Sequence, residues 1–103
     1  MFEFILKLVL TDHWYDEIES GRKTKEFRLA TPFWLNRLKK VAMLVDGQYV
    51  LYSDAVVQFQ RAYRKNPPRM KFLIKKITIE ENSGDLNVGD KPTIVIELGE
   101  RVE

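Results

Sequence analysis

The chain has no cysteine, one histidine, four prolines and five glycines among its 103 residues. Without cysteine there is no disulfide and no thiolate metal site, a usage that fits a reducing compartment. The lone histidine, His13, has no second imidazole with which to share a metal. No glycine-rich phosphate loop, zinc-ligand spacing or nucleophile elbow occurs. Neither a cofactor nor a metal is therefore expected. No run approaches the roughly 20 apolar residues of a membrane span. The start of the chain does not read as a signal peptide, because Glu3 and Lys7 interrupt a short apolar run and no small-residue cleavage site follows. The expectation is a cytoplasmic protein without a membrane partner.

What is present is enough for one core. With 45% hydrophobic and 31% charged residues, residues 1–103 read as a single domain. The net charge of +2 conceals a strong asymmetry. Residues 22–40 and 61–76 together hold 14 of the 17 basic residues and one of the 15 acids, Glu26. If the fold joins them, one face is positive and suits a polyanion. The alternative is a pair of solubilising segments.

The hydrophobic pattern predicts strands near 2–10, 23–28, 54–63, 69–80 and 93–99, helices near 12–20 and 32–39, and a hairpin over 41–52. Thr11 or Asp12 can cap the first helix, and Thr31-Pro32 opens the second with a cap and a proline at its first position. Asp46-Gly47-Gln48 marks a hairpin turn. Asn66-Pro67-Pro68 breaks the strand pattern, Ser83-Gly84-Asp85 and Gly89-Asp90 mark a loop over 81–90, and the last five residues, 99–103, read as an exposed tail. This order predicts an α+β fold: a small barrel of mostly antiparallel strands flanked by two short helices. Trp14, Tyr15, Phe33 and Trp34 read as core, with Trp34 alternatively the wall of a pocket.

The stretch from Gly21 to Arg28 concentrates the chemistry. Gly21 suits the residue past a helix end, where positive φ is needed. In an extended segment, Thr24, Glu26 and Arg28 share one face, and Lys25 and Phe27 the other. Phe27 is then expected to point to the core, with Glu26 and Arg28 side by side opposite it and Lys23 at the mouth. Such a set can bind an anion or a polarised base edge. The plainer alternative is a solvated face carrying an ion pair. Arg61-Ala62-Tyr63, at a strand end, could let a base stack on tyrosine while arginine meets phosphate. Equally, Tyr63 could pack against its hairpin.

The run Trp14–Arg28, with its Ser20-Gly21-Arg22-Lys23-Thr24 and Glu26-Phe27-Arg28 segments, followed by Thr31-Pro32-Phe33-Trp34 and Arg37-Leu38, resembles the ASCH (ASC-1 homology) domain. The small stand-alone bacterial and phage members are the most similar. The likeness continues through Asp54-Ala55-Val56-Val57, Arg61-Ala62-Tyr63 and Ile96–Arg101, nearly the whole chain. It implies a PUA-like β-barrel with helices around a cleft and a link to RNA or modified nucleosides. Some relatives of that kind remove the acetyl group of N4-acetylcytidine with the lysine that Lys23 matches. They carry threonine where this chain has Glu26, and a mid-chain glutamate with no counterpart here. Between 27 and 79 the only carboxylates are Asp46 and Asp54.

Three functions follow. The first is an RNA- or nucleotide-binding module in which Lys23, Arg28 and Arg61 meet phosphate, Glu26 meets a base amino edge, Trp34 and Tyr63 stack or wall the site, and Thr24 belongs to the same binding set. The second is a small amidohydrolase or ribonuclease acting on a modified nucleoside or RNA, with Lys23 as base or nucleophile activator and Glu26 as proton carrier. The third is a protein-interaction domain that keeps the fold alone.

Overall fold

Leucine at every second position makes the first strand, β1 (Ile5–Leu10), one-sided: Leu6, Leu8 and Leu10 are buried and Lys7 is exposed. The computed structural model describes residues 3–81 and 92–103. The loop expected over 81–90 lies outside these residues apart from Glu81, as does Phe2 at the expected strand start. Helix α1 (Asp12–Glu19) follows, with Thr11 at its N-cap and Tyr15 and Ile18 buried beneath it. Gly21, at φ +84°, ends it as expected. Strand β2 (Lys25–Leu29) leads to α2 (Pro32–Arg37), where the Thr31 hydroxyl accepts the Trp34 N–H. A 3-10 turn over Leu38–Lys40 buries Leu38.

The expected hairpin forms as a separate two-stranded sheet, β3 (Ala42–Val45) and β4 (Gln48–Leu51). Its two-residue turn holds Asp46 and Gly47 at φ +48° and +78°, the mirror-image turn that matches strand twist. Met43, Leu44, Val45 and Val50 of this hairpin are exposed.

Five strands make the main sheet in the order β1-β5-β6-β7-β2, adding β5 (Val56–Arg61), β6 (Arg69–Glu81) and β7 (Pro92–Arg101). All neighbours are antiparallel except β1 and β5, which run parallel with Leu6 opposite Val57 and Leu8 opposite Phe59. Those four side chains are almost wholly buried, each contributing about 1.5–3 kcal/mol. The long β6 pairs β5 with its first part and β7 with its length, and register shifts around Ile74 bend it. The sheet curls around a core that includes Tyr15, Ile18, Leu38, Val41, Met70, Ile94 and Ile96.

The expected barrel does not close. β1 and β2 are the sheet's edges and share no ladder, so the fold is an α+β half-barrel with two short helices. The polar pair Glu26 and Arg28 occupies the seam where a ladder would otherwise run, and Arg28 Nη2 donates across it to the Val9 carbonyl at 3.4 Å.

Candidate functional site

The seam between β1 and β2 is a cleft of about 240 Å³, lined by Val9, Leu10 and Thr11 from the end of β1, Trp14 from α1, and Lys23, Glu26, Phe27 and Arg28 from β2 and its lead-in. The shape follows from the topology. The chain leaves β1, turns through α1 and returns as β2 without pairing to β1, so the two strand edges stay apart and α1 roofs one end.

Glu26 sits within it at 5% exposure. One carboxylate oxygen accepts from Arg28 Nη2 at 2.8 Å and the other from the Phe27 N–H at 3.1 Å. Each oxygen retains a lone pair for a further donor. Burial pushes this carboxyl above the usual glutamate range, against the opposing pull of Arg28, the Phe27 amide and Lys23. Glu26 and Arg28 do share a face, as the alternation predicts. That face turns into the seam, however, whereas Phe27, expected in the core, is half-buried at the cleft. The curl of the sheet decides this, since it makes β2 an edge whose inner face meets a gap and not packed side chains.

Trp14 is 37% exposed and stands beside the cleft, not in the core. The Lys23 ammonium lies 4.2 Å from the Trp14 ring centre and 4.9 Å from that of Phe27, so an aromatic pair and a cation meet at the rim. Thr24 lines an adjoining depression with Trp14, Arg22 and Lys23. Trp34, half-buried on α2, has the Arg28 guanidinium 5.0 Å from its ring and packs edge-on against Phe33. Phe33 is itself 61% exposed, so the expected aromatic core keeps only Tyr15 fully buried.

Lys23, Glu26 and Arg28 thus converge. Arg61 and Tyr63 stand apart from them. Arg61 is taken up by α1, donating to Asp12 at 2.9 Å and Asp16 at 2.8 Å, while Arg64 also pairs with Asp12. Arg22 pairs with Glu17 at 2.7 Å. Helix α1 therefore draws arginines from both basic segments and neutralises part of the charge expected to form one positive face. Tyr63 is 87% exposed and does not pack against its hairpin. The residues that pattern reading passed over are Trp14, Phe27 and Val9. Position 14 lies four before the buried Ile18, so helical spacing alone marks it as core.

Among the described residues no three His, Asp or Glu side chains are grouped to hold a metal, and no helix is long and apolar enough to cross a membrane. No protein-family model, curated protein or solved structure matches the chain.

Proposed function

We propose that the chain is a binding module for a nucleotide or for RNA, an ASCH-type domain whose half-barrel is PUA-like, acting in the cytoplasm. The observation that carries this reading is the buried Glu26 carboxylate in a cleft rimmed by Trp14, Phe27 and Lys23. A base edge with an amino or imino donor satisfies the carboxylate, the aromatic rings flank the base, and the cations balance phosphate. The cleft is smaller than the roughly 300–1,000 Å³ of drug-sized pockets. That size favours one base or nucleoside over a longer segment held inside.

Titration of nucleosides and short RNAs, read by tryptophan fluorescence and amide shifts, tests this reading. Binding should quench Trp14 and be lost in Trp14→Ala and Glu26→Gln. Absence of binding at low salt, or binding that both variants retain, would sink it.

A hydrolase acting through Lys23 and Glu26 is the second reading. It is favoured by one observation, that a carboxyl held above its usual range by burial is suited to carry a proton. Incubation with N4-acetylcytidine separates the two. Binding without turnover is expected, and rapid deacetylation abolished by Lys23→Ala would establish the enzyme.

A further inference from the structure

The cleft ends at Arg28, but the cationic surface does not. Trp34 has a second guanidinium against it: Arg37 lies 5.7 Å from the Trp34 ring centre and 5.3 Å from that of Phe33. Contact with two rings, themselves at 89° to one another, holds the guanidinium in place. Arg37 makes no hydrogen bond or ion pair among the described residues, and its Nε is buried without an acceptor. Arg28 repeats the pattern. One terminal nitrogen serves Glu26 and the Val9 carbonyl, while its own buried Nε also lacks an acceptor among the described residues. Both Nε atoms are closed off from solvent, so the donors left for a ligand are terminal nitrogens: Arg28 Nη2 is already bonded, and those of Arg37 have no partner among the described residues.

The geometry points to a phosphate subsite at Trp34, held by Arg28 and Arg37 and continuous with the base cleft through Arg28. Its ligand is a phosphate ester, either the terminal phosphate of a free nucleotide or a backbone phosphate of RNA. Guanidinium suits both, because its parallel N–H groups match two phosphate oxygens. The subsite rests on the proposed cleft only for the rest of its ligand, and phosphate alone can be tested without it.

The experiment has two arms. In the first, inorganic phosphate is titrated into the wild-type protein at constant ionic strength, and the side-chain Nε–H signals of Arg28 and Arg37 are followed by NMR, with chloride as control. Both signals should move with phosphate and stay still with chloride. In the second, affinities are compared for a nucleoside, its 5′-monophosphate and a dinucleoside monophosphate. The phosphate should add roughly tenfold, the increment of one charge-assisted hydrogen bond. Arg37→Ala should remove that gain while the nucleoside binds as before. A gain from the monophosphate assigns the subsite to free nucleotides; a gain from the dinucleotide alone assigns it to a backbone. Still signals, or a gain that survives Arg37→Ala, overturn the subsite. Phosphate shifts with no nucleoside binding would keep the subsite and remove the cleft reading. Nucleoside binding without a phosphate increment would remove the subsite alone.

Discussion

Glu26 and Arg28 meet at 2.8 Å two residues apart on one strand, with side chains 6% and 23% exposed. The acid is thus withdrawn from water more fully than its partner. Arg28 offsets part of the cost of burying a carboxylate and still reaches the Val9 carbonyl.

Arg28→Ala should therefore cost about 2 kcal/mol at neutral pH, below the 3–5 kcal/mol of fully buried pairs because Arg28 keeps some solvent. Glu26 binds its proton more tightly folded than unfolded. Its stabilising contribution is complete below the ordinary carboxylate range and declines as pH rises through the raised folded value. Removing Arg28, the largest of the opposing influences, should carry that decline to higher pH. Urea unfolding of wild type, Glu26→Gln and Arg28→Ala from acid to neutral pH measures this, and parallel curves for all three would contradict it.

Asp12 should act in the opposite sense. The Arg61 hydrogen bond, with the charges of Arg64 and Arg61, holds its carboxyl below the usual range despite some desolvation. Its contribution is present above the unfolded value and is lost as pH falls through the lowered one. Asp12→Asn should flatten the acid limb of the stability profile.

Because Arg61 and Arg64 are committed to α1, removing both should loosen that helix more than it weakens the proposed RNA binding. The salt dependence of RNA affinity, about −0.7 in slope per phosphate contact on single strands, should then change by less than one contact. A change of two contacts in Arg61→Ala with Arg64→Ala would show that both arginines reach phosphate.

Among the described residues four non-glycine residues have positive φ, and three are Asp or Asn, which tolerate it. Ala62, at φ +55°, is the exception. Its N–H donates to the Leu10 carbonyl at 2.8 Å and its carbonyl accepts from Gln60, so the strained conformation ties the end of β5 to β1. Ala62→Gly should stabilise by about 0.5–1 kcal/mol, the relief of strain exceeding the added unfolded-state entropy. Thermal melts should show a rise of a few degrees; a lower melting temperature would count against strain here.

Thr93 is fully buried on β7 and its hydroxyl has no partner among the described residues. Thr93→Val keeps the shape and removes that hydroxyl, so it should be neutral or stabilising by up to about 1 kcal/mol. A clear loss of stability would mean that the hydroxyl is satisfied.

The elements were legible because their signals are local. Leu6, Leu8 and Leu10 alternate, Thr31-Pro32 caps a helix, Gly21 ends one, and Asp46-Gly47 can turn only one way, so backbone sterics and periodicity act within a few residues. Lys23, Glu26 and Arg28 were also legible as a set, since a strand places alternate residues together. What the sequence left open was which way that face would turn. The direction depends on β6 bending, on β1 choosing β5 as a parallel partner 51 residues away, and on β2 docking at the far edge against β7. Those long-range pairings leave the seam open. They bury Glu26, bring Trp14 beside Lys23 and commit Arg61 to Asp12 and Asp16. No local pattern carries that information, because each of these contacts is set by the curvature of the whole sheet and by which two edges it leaves unpaired.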